Sequence, residues 1–301
     1  MLTTGYQLLR GYLDSFVNGI LFLLTLQIFN VASNMFCVKH YTTTDNNWLV
    51  RKYEIFQSTD GGFVEKFVPR ADISIIFHFK SVPRIVGTSV VPLQPFFIAP
   101  IVSESLLLNL DDNSDTFVII CNPTALSRIF KLDLTPQAKP DIDLPHQLFY
   151  PLWETMSELE TTEARIACFE RFLSGLQQST YQKDAIDILY DKIMEKGMHL
   201  PLKEIVRECN ASQRTLERHF VKRTGVTPKM LVRIMRFNAL WNKVQNNKKI
   251  DYQNVVATGN YFDQAHFIND FKSIVGESPG NFFKRDLNSI KMMSGQIDGS
   301  I

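Results

Sequence analysis

Apolar positions change rhythm along the chain, and each rhythm predicts a different kind of element. From Trp48 to Ile120 they fall in short runs: LVRKYEIF, FVEKF, DISIIFHF, RIVGTSVVPL, FFIAPIV, ESLLLNL and TFVIIC. Asp60-Gly61-Gly62, Pro69, Pro83, Pro92, Pro100 and Asp111-Asp112-Asn113 separate these runs. Strand-length segments rich in Val, Ile and Phe between turn residues predict an antiparallel β-barrel or sandwich. Such a domain either encloses one small ligand or is filled by its own side chains, and the pattern serves both readings. Pro123 to Leu134 (PTALSRIFKLDL) predicts a short closing helix. Thr135 to Pro145, with Pro136, Pro140 and Pro145, predicts a connector.

From His146 to Gln178 the period becomes helical, through Leu152, Met156 and Leu159 and then Ile166, Phe169, Leu173 and Leu176. Glu160-Thr161-Thr162 breaks the run into two amphipathic helices. Their apolar stripes either cover the β domain or join two protomers, in which case a second copy adds affinity wherever binding sites are paired.

The third rhythm begins at Asp184. Asp184 to Glu195 predicts a helix with Ile186, Leu189 and Ile193 inward, ended by Gly197. Pro201 opens the next helix, where a missing N–H does no harm. Ile205 and Val206 face inward there, and Asn210-Ala211 forms a turn. Ser212 then caps a helix that buries Leu216 and Phe220 and shows Arg214, Glu217 and Arg218 outward, with Lys222 one turn on. Gly225 stops it, and Thr227-Pro228 opens a long helix from Lys229 to about Gln245, roughly 25 Å in length. The pattern then repeats. Val255 and Val256 turn inward, Asn260 takes a left-handed turn, and Asp263 caps a helix buried through Phe267 and Phe271. Gln264, His266 and Asn269 face outward, followed by Lys272.

Two such units joined by one helix describe a paired helix-turn-helix reader of DNA. Arg suits guanine, Gln and Asn suit adenine, and Lys suits phosphate. The candidate DNA-binding set is Ser212, Gln213, Arg214, Glu217, Arg218, Lys222, Gln264, His266, Asn269 and Lys272. If the long helix sets the two reading helices about 34 Å apart, they enter successive major grooves.

Charge supports this division. The net charge of +1 hides 13 Lys/Arg against 18 Asp/Glu in residues 1–180 and 18 against 12 in residues 181–288. The basic half is the candidate for binding nucleic acid. Cys37, Cys121, Cys168 and Cys209 lie far apart, which suggests free thiols and neither a disulfide framework nor a zinc site. Cys37 lacks the neighbouring cysteines an alkyl-accepting site would need. His40, His78 and His146 have no ligand-like spacing, so no metal or cofactor is expected. No stretch joins a nucleophile to a base and an orienting group, and there is no Gly-rich phosphate loop. An enzyme fused to a DNA-binding domain is therefore the weaker alternative.

Phe16 to Phe36 is mostly apolar and near the length of a membrane helix. Three readings stand. It is an anchor interrupted by Asn18, Gln27 and Asn30; a signal peptide with a weak basic start at Arg10; or translated upstream sequence, with Met35 the native start.

Several motifs together resemble the DNA-binding domain of the AraC/XylS family of bacterial transcription regulators. They are SxxxLxRxF at Ser212 to Phe220, GxxP at Gly225 to Pro228, Arg236-Phe237, NYFDQAHFINDFK from Asn260 to Lys272, and GESP at Gly276 to Pro279. Asn260 departs from the family's usual Gly and Val256 from its small residue. FVPRADISIIFHF (Phe67 to Phe79) and PTALSRIF look like the N-terminal domain of some of these regulators.

The resemblance implies a first half that senses a signal and dimerises, and a base-contacting face at Arg214, Glu217, Arg218, Gln264, His266 and Asn269. The expected fold is α+β: an N-terminal antiparallel β-barrel or sandwich-like domain plus helices, then an all-α domain of two helix-turn-helix units and a linker helix. The expected divisions are an apolar extension at 1–34, a β-rich sensor domain at 35–145, an amphipathic helical pair at 146–180, the DNA-binding domain at 181–288 and a frayed tail at 289–301. Expected partners are double-stranded promoter DNA, a small-molecule effector, RNA polymerase and a second protomer. The expected location is cytoplasmic, or at a membrane if residues 16–36 anchor the chain.

Overall fold

A computed structural model describes residues 36–42, 48–59, 62–87, 89–136, 141–176, 181–197, 201–207, 212–244, 252–259, 261–294 and 299–300. The apolar stretch up to Met35, the turn residues Asn210, Ala211 and Asn260, and Cys209 lie outside these residues. Among the described residues no helix is long and apolar enough to cross a membrane.

The N-terminal half is a two-layer β structure. Its strands are β1 (Phe36–Thr42), β2 (Val50–Ser58), β3 (Phe63–Phe67), β4 (Ile73–His78), β5 (Arg84–Val86), β6 (Val90–Pro92), β7 (Phe96–Ala99), β8 (Leu106–Leu110) and β9 (Ser114–Cys121), with β10 (Gly299–Ser300) at the far end of the chain. One sheet runs β10-β1-β2-β9-β4-β7 and the other β3-β8-β5-β6, and all pairs are antiparallel. The run RIVGTSVVPL divides into β5 and β6, and β1 lies upstream of the first predicted strand.

Period two along the strands sorts side chains onto two faces. One face of the large sheet carries Tyr53, Ile55, Ile73, Ile75, Phe77, Phe117 and Ile119. It packs against α1 (Pro123–Ile129), α2 (His146–Ser157) and α3 (Thr162–Gly175) through Leu126, Phe149, Leu152, Met156, Phe169 and Leu173. The stripes of α2 and α3 therefore cover the sheet. Arg165 of α3 completes this layer with a two-pronged bond to Asp115 at 3.1 and 2.9 Å, both side chains being buried.

The opposite face meets the small sheet and is more polar. Glu54, Ser58, His78, Ser114 and Thr116 are all buried there beside Phe56, Ile76 and Val118. Burial alone would raise the Glu54 carboxyl, but Arg70 and Lys52 hold it below the usual range. His78 shares a hydrogen bond with Thr116 at 2.8 Å, and burial pushes its pKa down to about 3.

The C-terminal half is all-α: α4 (Ala185–Lys196), α5 (Leu202–Arg207), α6 (Gln213–Thr224), α7 (Pro228–Val244), α8 (Tyr252–Gly259), α9 (Gln264–Val275), α10 (Pro279–Phe282) and α11 (Asn288–Met293). The last helix corrects the expectation of a frayed tail. Ile290, Met292 and Met293 are buried, and the two methionines pack with Val38 and Leu110 of the β half. Just beyond, Ser300 pairs with Cys37. An end rich in Ser and Gly gives no local sign of this, because the burial comes from docking onto strands that lie far upstream, around Val38 and Leu110.

His78 is neutral when buried and takes up a proton near pH 6.5 when unfolded. Acid therefore favours the unfolded chain, and stability should fall by about 2 kcal/mol between pH 7.5 and 5 through this residue. Urea unfolding at the two pH values should show that loss, and His78→Gln should remove most of it. An undiminished loss in the variant would place the titrating group elsewhere.

Candidate nucleic-acid interface

The first unit is α5 and α6. Pro201 accepts from Glu204 N at 2.9 Å and opens α5, whose Ile205 and Val206 are buried. Ser212 Oγ accepts from Thr215 N at 3.3 Å and caps α6. Leu216 and Phe220 point into the core, and Gly225 ends the helix at φ +83, a conformation open to glycine without strain. Ser212, Gln213, Arg214 and Arg218 are consequently exposed on the other side. Glu217 is only half-exposed and accepts from Gln213 Nε2 at 2.9 Å. Lys222 is exposed but lies 3.6 Å from Asp133 of the β half. Both side chains are more than half exposed, so that pair is a weak tie.

The second unit is α8 and α9. Asp263 caps α9 by accepting from His266 N at 2.7 Å, and Phe267 and Phe271 are buried. Gln264, His266, Asn269 and Lys272 are exposed. His266 has a local task as well: its Nδ1 accepts from Phe262 N at 3.4 Å, and its ring meets Tyr261 edge-on.

One helix holds both units. Leu231, Ile234 and Met235 of α7 belong to the core of the first unit, while Phe237 and Leu240 belong to that of the second. Seventeen residues give α7 a length of about 25 Å. Arg233 of α7 reaches Asp270 at 2.5 Å, and Tyr261 Oη donates to the same carboxylate at 3.1 Å. This buried acid fixes α9 against α7. Between the units lies a cleft of about 460 Å³ edged by Lys229, Arg233, Arg236 and His266. Lys229, Arg233 and Arg236 carry no sign of a role in the sequence, because their positions on α7 follow its apolar residues and look like the solvated side of a packed helix.

Gly259 was also missed. A Cβ there would sit 2.4 Å from the Tyr261 ring. The left-handed turn expected at Asn260 lies outside the described residues, and Thr258-Gly259-Asn260 was the sequence sign of Gly259.

Residues 205–285 match the family model described as a helix-turn-helix domain. The class is thus that of a DNA-binding helix-turn-helix protein. The matched domain, residues 205–285, is of the AraC type and holds both capped helices, α6 and α9. Among solved structures, the chain is similar to ToxT from Vibrio cholerae at 13% identity, over 83% of this chain and 98% of that one, with a TM-score of 0.42. A structure of ToxT from Vibrio cholerae strain SCE256 with an unsaturated fatty acid bound gives 12%, 83%, 94% and 0.40. The AraC-like transcriptional activator CuxR gives 12%, 69%, 88% and 0.30. At these values the likeness is one of layout, and no property of those proteins is taken from it. No curated protein matches the chain.

Replacing glycine by alanine inside a helix ordinarily gains about 1 kcal/mol. Gly259→Ala should do the opposite and lose about 1–3 kcal/mol, because Tyr261 is buried and bonded to Asp270 and cannot move aside freely. Urea unfolding of the variant checks the sign.

Proposed function

We propose that this protein is a transcription regulator that binds promoter DNA sequence-specifically by placing α6 and α9 in successive major grooves. The observation that carries this reading is the matched presentation of two helices. Each is capped by a side-chain oxygen, Ser212 or Asp263, buried on one side and polar on the other, and the two are joined by one rigid helix. Arg214, Arg218, Gln264 and Asn269 are the base readers, with Glu217 and His266 beside them. Gln213, Lys222 and Lys272 are phosphate and groove-edge contacts, and Ser212 orients the first helix. Lys229 and Arg236 line the cleft between the units, where the intervening phosphate strand would pass.

The β half and its helices serve as the sensing and dimerising domain. Size decides where an effector would sit. The cavity between the sheets, bounded by His78, Thr116 and Met293, has a volume of about 90 Å³, whereas a cleft between the two halves has about 610 Å³. Small-molecule sites run to roughly 300–1,000 Å³. The larger cleft is bounded by Ile101, Leu134 and Pro136 on one side and Val221, Val226 and Met230 on the other. A small, mostly apolar molecule bound there would touch both halves. A second protomer strengthens binding to paired sites, RNA polymerase is the partner met at the promoter, and the work is done in the cytoplasm.

Arg218→Ala and Asn269→Ala should each weaken binding to the selected operator by about 1–3 kcal/mol, with less effect on random DNA. Fluorescence anisotropy on both duplexes measures this, and equal losses on the two would reduce these residues to phosphate contacts. Affinity should also fall with salt, by about a hundredfold from 50 to 200 mM if some four phosphates are neutralised. A flat salt response would remove DNA as the partner.

A further inference from the structure

Phe262 is the outlier of the surface. It is 90% exposed, while the next most exposed large apolar side chain among the described residues, Val90, is at 58%. Its position makes the exposure harder to explain. Asp263 is the cap of α9, so Phe262 stands immediately before the cap and Phe267 is the fourth residue of the helix. An apolar residue in the first place ordinarily packs against one in the second and staples the helix start. Here Tyr261 has taken that role. Its ring lies 5.4 Å from that of Phe267, it is 7% exposed, and its hydroxyl holds Asp270. Phe262 is left outside, yet it is not loose. Its N–H is held by His266 Nδ1, and the residues on either side are fixed by burial or by capping. The result is an aromatic ring projected from the start of α9, next to the exposed Gln264 and His266.

We propose that Phe262 is a specificity residue of the second unit, making apolar contact with the 5-methyl group of a thymine in the major groove. The chemistry fits the position. Residues at the start of a recognition helix meet base edges, and a phenyl ring can hydrogen-bond to none of them, whereas the thymine methyl is the apolar group a major groove offers. The assignment rests on the DNA-reading function proposed above and adds to it a base preference that no polar residue of the set supplies.

The test begins by selecting an operator from a random duplex pool with the full-length chain. Each thymine of that operator is then replaced singly by uracil, which differs only in lacking the methyl group. One thymine in the half-site read by α9 should lower wild-type affinity about fourfold when replaced, the worth of one buried methyl. Phe262→Ala should bind the thymine and uracil operators equally, and Phe262→Leu should retain a preference for thymine. A methyl effect that persists in Phe262→Ala, or that is absent at every thymine in the wild type, overturns the contact while leaving DNA reading intact. Failure to enrich any sequence overturns the DNA-reading function and this contact with it. Because the ring is solvent-exposed, both variants should unfold in urea like the wild type, so a loss of fold does not obscure the result.

Discussion

The arrangement of the two halves depends on the guanidinium of Arg223. It lies in the last turn of α6, the first recognition helix, with a side chain only 13% exposed. One nitrogen reaches Asp184 at 2.5 Å, and the other reaches Asp187 at 2.8 Å and the Thr124 carbonyl at 2.6 Å. Asp184 and Asp187 form the capping box of α4, and Thr124 begins α1 of the β half. One cation therefore joins the recognition helix, the first helix of its own domain and the neighbouring domain. Burial alone would raise the Asp184 carboxyl, but the Asp187 backbone N–H and Arg223 hold it down. Desolvating such a set offsets much of its Coulombic attraction, so its main contribution is orientation. Asp187 is 2% exposed, and without Arg223 it would be a buried charge supported by the Asp184 N–H at 2.9 Å, the Tyr181 hydroxyl and Arg128, 3.4 Å away.

The sequence made visible those parts of the fold whose causes are local. The middle strands of the large sheet are buried on both faces, and β9 accordingly reads as an unbroken apolar run from Phe117 to Cys121. Caps at Ser212 and Asp263 and the glycine stop at Gly225 set helix ends as expected. The parts that were not visible have distant causes. β1 carries Lys39, His40, Tyr41 and Thr42, which do not suggest a core strand, and it is held by full antiparallel pairing with β2. The terminal helix is too short and too polar at its start to be recognised alone, and it exists because Met292 and Met293 find an apolar seat on the β half.

The interface shows the same division. Outward positions on α6 and α9 follow from the helical period, so the exposed set was legible almost entirely. What the period could not show is which polar atoms are already engaged. Glu217 is tied to Gln213, Lys222 lies near Asp133, and His266 gives one ring nitrogen to the backbone of its own turn. Nor could it show that Gly259 is required by a ring two residues away, or that Tyr261 and not Phe262 closes the start of α9.

The contacts between the halves share one feature that bears on control. A helix leaves its last four carbonyls without intrahelical partners, and something outside must bond them. In α6 the Lys222 carbonyl accepts from Leu134 N at 2.8 Å. In α9 the Ile274 carbonyl accepts from Ser105 N at 2.7 Å, and the Val275 carbonyl accepts from Lys66 Nζ at 2.8 Å. The β half thus bonds the trailing ends of both recognition helices, and Lys66 places a cation where the dipole of α9 favours one. These bonds lie at the ends of α6 and α9 opposite their capped starts, so docking leaves the exposed polar side of each helix uncovered. Displacing the β half would expose these carbonyls to water and loosen both helices together. The two readers are therefore coupled twice, through α7 and through the β half, and a molecule seated between the halves would act on both at once.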